Sequence, residues 1–273
     1  MKYCVPYYKN FKYMEEVDEV IVPFVKEDVN FIKSLTSKEK LINGTVIIDV
    51  QDMVDFYENE CIGIFKGLKV NYPEVSFKLR FKEYSTVLDR FYALIKEHEI
   101  PFFFEERVRD WDVFNGLIEI GVSDIYIVEE LGFSLNKLGP IAHAKNISIR
   151  AFANVAQSKW DRERSIKSFF IRPEDVPIYA PYVDVLEFFG TNQQIYETLY
   201  RVYAISKKWF GKLNELIIGL DSEVDSRTIP PTMFAKYRIK CDKRCGKGST
   251  CDICNRFIDV ANNFEESGLI FKY

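Results

Sequence analysis

The sequence predicts a (β/α)8 TIM-like barrel with a small C-terminal four-cysteine metal-binding lobe. Short runs of β-branched and aromatic residues recur along most of the chain, each followed by a polar stretch with helical spacing. Near-continuous apolar strands alternating with helices mark a parallel sheet covered on its outer face. Eight such units in about this length favour a closed barrel over an open doubly wound sheet. The third observation is Cys241, Cys245, Cys251 and Cys254, spaced C-x3-C-x5-C-x2-C beyond the last unit.

The expected strands are Glu19–Phe24, Thr45–Val50, Ser76–Phe81, Pro101–Glu105, Asp124–Val128, Ile147–Phe152, Ser168–Arg172 and Val183–Phe188. Gly116-Leu-Ile-Glu-Ile-Gly121 reads as the end of a helix that turns at Gly121 directly into the fifth strand. A long amphipathic helix is expected over 193–211, with Ile195, Leu199, Val202, Tyr203, Ile205 and Phe210 on its apolar side. Leu216–Leu220 reads as an extra strand, and Ile229-Pro-Pro-Thr breaks regular structure. The organisation is therefore a barrel over 1–228 and a cysteine-rich appendage over 229–273. The N-terminal aromatics Tyr3, Tyr7, Tyr8, Phe11 and Tyr13 are expected to cap the barrel floor, with a dimer surface as the alternative.

Composition bounds the function. The chain has 273 residues, of which 47% are hydrophobic and 15% aromatic, enough for a barrel-sized core. Its net charge of -4 gives no global attraction to nucleic acid or to a membrane. The N-terminus carries no signal-peptide run, and no segment approaches the ~20 apolar residues of a membrane span. A cytoplasmic protein is expected, where clustered thiols bind metal rather than pair as disulfides. Cys4 and Cys61 stand alone and read as buried core cysteines. Heavy use of Lys, Ile, Asn, Phe and Tyr is that of an AT-rich bacterial or phage genome.

Four thiolates complete a closed tetrahedral shell for one zinc ion, and the same set could hold one iron–sulfur cluster. Spacing leans to zinc. Lys236, Arg238, Lys240, Lys243, Arg244, Lys247 and Arg256 surround the cysteines, and Tyr237 and Phe257 are available for stacking. Such a basic knuckle could grip a nucleic-acid backbone, RNA or DNA. The plainer reading is that these charges solubilise a lobe with little core.

Barrel enzymes build their sites from residues at the C-terminal ends of strands. There the sequence offers Glu105, Arg107, Asn154, Gln157, Arg172 and Glu187, together with Asp49, Lys82, Glu174 and Asp175. The expected catalytic set is Glu105 for protons, with Arg107 and Arg172 on an anionic group. Asn154, Gln157 and Glu187 are expected to bind and orient a polar or anionic small molecule. The structural alternative is a ring of ion pairs around the rim. His98 and His143 both fall on expected outer helices, which excludes a histidine-based hydrolytic triad or zinc site at the mouth.

Phe170-Ile-Arg-Pro-Glu-Asp-Val176, Val183-Asp-Val-Leu-Glu-Phe-Phe-Gly190 and Tyr196-Glu-Thr-Leu-Tyr-Arg-Val-Tyr203 resemble the C-terminal half of the collagenase-like peptidase family. Ile149-Arg-Ala-Phe-Ala-Asn-Val155 resembles that family's preceding strand. The resemblance implies a barrel, an iron–sulfur cluster and hydroxylation of RNA bases or a quinone precursor. Asn154, Arg172, Glu174, Asp175, Tyr200 and Arg201 are the positions that match. Glu187-Phe-Phe-Gly-Thr191 lacks the family's two basic residues, and 156–167 lacks its cysteines. The expected function is a redox or RNA-modifying enzyme acting at the barrel mouth. The alternative is a non-catalytic, phage-encoded binding or assembly protein with a structural zinc knuckle and a protein partner.

Overall fold

The computed structural model describes residues 1–24, 44–50, 61–71, 73, 75–82, 88–105, 107–108, 110–127, 135–156, 170–220, 223–229, 235–236, 239–240, 259 and 263. Nine strands are described: β1 (Lys2–Pro6), β2 (Glu19–Phe24), β3 (Thr45–Val50), β4 (Ser76–Phe81), β5 (Phe102–Phe104), β6 (Arg107–Val108), β7 (Asp124–Ile127), β8 (Ser148–Phe152) and β9 (Val185–Glu187). They form one sheet in the order β5-β4-β3-β2-β1-β9-β8-β7-β6, with every pairing parallel. β5 and β6 stand at opposite ends of that order yet follow each other directly in the chain. They are two pieces of one stave, so the sheet has eight staves and is nearly closed. Ser123 ties the seam, since its N–H donates to the Phe102 carbonyl at 2.8 Å and its hydroxyl to the same oxygen at 3.2 Å. Closure removes the free sheet edges that an open parallel sheet would expose.

Two assignments within the barrel wall differ from expectation. β1 (Lys2–Pro6) is a full stave, pairing with both β2 and β9, although it carries too few apolar residues to stand out in the sequence. Of the expected seventh strand Ser168–Arg172, residues 170–172 belong to no strand, and β8 pairs directly with β9. The Ile171 N–H still donates to the Ala153 carbonyl at 3.2 Å, one bond short of a ladder. The chain then turns into the short helix Val176–Tyr179 on the outer side.

Outward-facing Val5, Val20, Val22, Ile48, Leu79, Phe102, Phe104 and Ile149 share one core with Phe65, Leu68, Phe114, Leu117, Leu138 and Ala142 of the surrounding helices. Gly121 caps the helix Trp111–Ile120 in the left-handed region, φ 78°, and its N–H donates back to the Ile118 carbonyl at 3.0 Å. This is the glycine turn into β7 that the sequence predicts. The expected 193–211 helix is shorter, because α-helix Gln193–Tyr200 widens into a π-helical segment, Arg201–Ser206, that ends at Lys207 with φ 53°. Leu216–Leu220 is not a strand: a short helix, Leu213–Leu216, leads to one bridge between Val155 and Ile218.

The N-terminal aromatics lie on the flank of the barrel and not across its floor. Residues 7–18 replace an outer helix between β1 and β2. Tyr13 stacks on Tyr200 with centroids 5.0 Å apart, Phe11 meets Tyr200 edge-on, and the Tyr200 hydroxyl donates to the Glu16 carbonyl at 3.0 Å. Among the described residues no helix is long and apolar enough to cross a membrane.

Candidate functional site

Strand parity places an unusual set of side chains inside the barrel. In β4, Lys78 and Arg80 alternate with Phe77, Leu79 and Phe81. The phenylalanines and leucine pack outward with the helices, so the two cations point inward. The same alternation directs Glu19 of β2, Asp49 of β3, Asp124 and Tyr126 of β7, Arg150 of β8 and Glu187 of β9 to the interior. Barrel interiors are ordinarily filled by branched apolar residues. Here the inner apolar group is small: Cys4, Ile21, Ile47, Phe103, Tyr126, Phe152 and Val185.

The charges connect into one network. Deep in the barrel, Arg150 donates through Nη1 to Glu19 Oε2 at 2.6 Å and Asp124 Oδ1 at 3.1 Å, and through Nη2 to Glu187 Oε2 at 3.4 Å. Its guanidinium lies 4.9 Å from the Phe103 ring centroid and 5.6 Å from that of Tyr126. Lys78 Nζ donates to both Asp124 oxygens, at 2.9 and 2.7 Å. Burial alone would raise Asp124, but Arg150 and Lys78 outweigh it and hold the carboxyl below its ordinary value. Burial also pushes the Cys4 thiol well above the ordinary range, so it is a packed and unreactive sulfur.

The mouth-side layer consists of Asp49, Arg80, Tyr126 and Glu187. Arg80 donates through Nε to Asp49 Oδ1 at 2.8 Å, and through Nη1 to Glu187 Oε1 at 2.9 Å and the Tyr126 hydroxyl at 3.2 Å. The Tyr126 hydroxyl donates to Glu187 Oε2 at 2.5 Å. Burial, followed by the Glu187 charge, holds the Tyr126 phenol well above its ordinary value. This layer is not sealed. The Arg80, Asp49 and Glu187 side chains are 10%, 8% and 6% exposed, against 0% for Arg150 and Glu19, and Lys78 of the deeper network is 15% exposed. Arg80 Nη2 makes no hydrogen bond among the described residues, and it is not a buried orphan. Among the described residues the layer thus leaves one Arg80 donor unused, flanked by two carboxylates, at the C-terminal ends of the strands.

The residues expected from sequence do not all converge on this layer. Glu187 is its centre. Glu105 is half-buried just past β5, and its N–H donates to the Phe81 carbonyl at 2.7 Å. Arg107 opens β6 opposite Tyr126. Asn154 is 1% exposed and spends its amide on one neighbour: Nδ2 donates to the Phe189 carbonyl at 2.7 Å, and Oδ1 accepts from the Phe189 N–H at 2.9 Å. Arg172 is fully buried apart from the inner layer. Its Nε and Nη2 donate to Asp175 at 2.6 and 3.0 Å, and Nη1 donates to the Ser226 and Ile229 carbonyls at 3.2 and 3.3 Å. Asn154 thus stands beside the end of β9, next to Ala153 whose N–H donates to the Glu187 carbonyl at 3.0 Å, while the bonds of Arg172 run to Asp175, Ser226 and Ile229.

Gln157, Cys241, Cys245, Cys251 and Cys254 lie outside the described residues. Among the described residues no group of three His, Cys, Asp or Glu side chains could hold a metal ion. His98 follows the helix Leu88–Glu97, and His143, in the helix Leu135–Ala144, meets Asp184 Oδ2 at 2.9 Å on the outer side. Sequence reading missed Glu19, Lys78, Arg80, Asp124, Tyr126 and Arg150 as inner residues. The available signal was a charge alternating with apolar residues inside an otherwise buried strand.

No protein-family model matches the chain, and no curated protein matches it. The resemblance to the collagenase-like peptidase family rests on the quoted motifs alone.

Proposed function

We propose that the mouth of the barrel binds a small polar ligand and that the protein is an enzyme acting on it. The observation that carries this reading is the Arg80–Glu187–Tyr126–Asp49 layer, buried yet open at one edge and set at the C-terminal ends of β3, β4 and β9. Arg80 supplies the free donor to a ligand oxygen, Glu187 and Asp49 accept from a ligand N–H or O–H, and Glu105 stands at the rim. A carboxylate and a phenol sharing a short hydrogen bond in a dry site can pass a proton. The four cysteines belong to the same proposal, binding one zinc ion or one iron–sulfur cluster. If the group is a cluster, a redox or RNA-modifying reaction follows. The ligand set Cys241, Cys245, Cys251 and Cys254 fits either.

A scaffold reading, in which the barrel is a binding or assembly protein with a structural zinc, is supported by one observation. Most of the deep charges pair with one another as a structural network would, with Glu19 Oε1 and Arg150 Nε left without a hydrogen bond among the described residues. A thermal-shift screen of wild type and Glu187→Gln against a panel of nucleotides, carboxylates and polar amides separates the two. A ligand at about 100 times its Kd stabilises by about 2.7 kcal/mol. The enzyme reading expects such a rise in wild type and its loss in Glu187→Gln. Equal rises in both proteins would refute the mouth as the site.

A further inference from the structure

Beyond π-helical Arg201–Ser206, the chain runs on as an extension attached to the barrel at separate points. The Trp209 N–H donates to Glu174 Oε1 at 2.6 Å. Ile218 bridges to Val155, its N–H donating to the Asn154 carbonyl at 2.8 Å while its carbonyl accepts from the Ala156 N–H at 2.8 Å. Lys212 pairs with Asp225, and the Leu213 N–H donates to the Val224 carbonyl at 2.9 Å. Ser226, Ile229, Ala235 and Ile239 are all buried, and the Ile239 carbonyl accepts from the Asn136 N–H at 3.2 Å. Asn154 and Ala156 follow the C-terminal end of β8, and Asn136 lies in the first turn of a helix that starts at the same end. The extension is therefore sewn to the mouth end of the barrel.

We propose that Arg172 is the anchor that holds this extension to the mouth end of the barrel. Among the described residues Arg172 is, with Glu174, a charged side chain that spans the two parts. Asp175 fixes its guanidinium by a two-point pair on the barrel side, and Nη1 reaches the backbone carbonyls of Ser226 and Ile229 on the extension side. Ser226 and Ile229 are buried, and the Ser226 carbonyl also accepts from the Ile229 N–H at 3.4 Å, so the guanidinium joins a turn that is already closed on itself to the barrel. A planar guanidinium can hold a carboxylate and two carbonyls at once, which an ammonium on a lysine stem cannot. The anchoring has a consequence at the rim. Asn154 holds Phe189 through its side chain and Ile218 through its carbonyl, and these two residues are 50% and 42% exposed. A residue of the extension and one following β9 thus stand together at the mouth.

The test is residue-resolved hydrogen exchange on the full chain carrying Arg172→Lys. Lysine keeps the charge opposite Asp175 and removes the fork. The amides of Leu213, Ile218 and Ser226 should exchange at least about tenfold faster, while that of Leu79 in the barrel wall stays within about threefold. Unchanged exchange in the extension, or an equal rise at Leu79, would overturn the assignment. Should Arg172→Lys fail to fold, the paired Arg172→Met/Asp175→Leu variant removes the fork without stranding a buried charge. The same selective loosening is expected there, and a protected extension in that variant would also overturn it.

Discussion

Replacing Arg150 by methionine removes the cation that joins three interior carboxylates. The cost is set by what each carboxylate retains. Asp124 keeps Lys78 at 2.7 Å and the Ser123 hydroxyl at 2.6 Å. Glu187 keeps Arg80 at 2.9 Å and the Tyr126 hydroxyl at 2.5 Å. Among the described residues Glu19 keeps only Lys78 at 3.9 Å, beyond hydrogen-bond reach, and its side chain is fully buried. One carboxylate is therefore stranded, not three, and breaking one buried pair costs about 3–5 kcal/mol. For a chain near this size that corresponds to a fall in Tm of roughly 6–20 °C. Urea unfolding of Arg150→Met, Glu19→Gln and the double variant measures it. The double variant should be about 2 kcal/mol more stable than the sum of the singles, because the neutral amide that Glu19→Gln introduces needs no cation. Additivity within about 0.5 kcal/mol, or a single-variant cost below about 1 kcal/mol, would refute the buried-network reasoning.

Further outcomes are expected elsewhere. Asn154→Ala deletes both part-buried bonds to the Phe189 backbone and should cost about 1–3 kcal/mol in denaturant unfolding, at about 0.5–1.5 kcal/mol net for each bond lost. Glu174 is raised above its ordinary value by burial, only partly offset by the Trp209 N–H. A raised carboxyl contributes stability that is present below the unfolded pKa and is lost as pH rises through the folded one. Glu174→Gln should therefore gain stability relative to wild type as pH is raised from about 4 to 8, read from unfolding free energies across that range. Burial also pushes Tyr196 and Tyr200 up to about 12, so their phenols should remain protonated at pH 11 in a site-resolved NMR titration, while an exposed tyrosine ionises near 10.

The alternating architecture was readable because β2, β3, β4 and β7 are dense in β-branched and aromatic residues, and because Gly121 marks a helix end that lies in the left-handed region. β1 escaped notice because Lys-Tyr-Cys-Val-Pro is short and ends in proline. Its place as a stave depends on pairing with β9, which lies far away in sequence. Phe170-Ile-Arg172 has the composition of a strand, but tertiary context gives its Arg172 a different task and leaves β8 free to pair with β9. At the site, Glu187 was legible from its position at a strand end. Arg80 was not, because its importance comes from three partners on three other strands. Asn154 and Arg172 look like ligand-binding residues in sequence, and only the fold reveals that backbone groups of this chain occupy them.

Whether the mouth-side layer meets ligand through Arg80 can be read by side-chain NMR of 15N-arginine-labelled protein. Titration is with whichever compound of the thermal-shift panel stabilises wild type. Buried guanidinium groups exchange slowly enough to be followed individually. The Arg80 Nη signals should move on binding, those of Arg172 should stay in place, and the response should disappear in Glu187→Gln. Tight binding that leaves the Arg80 signals unmoved would contradict this site and place the ligand elsewhere on the molecule.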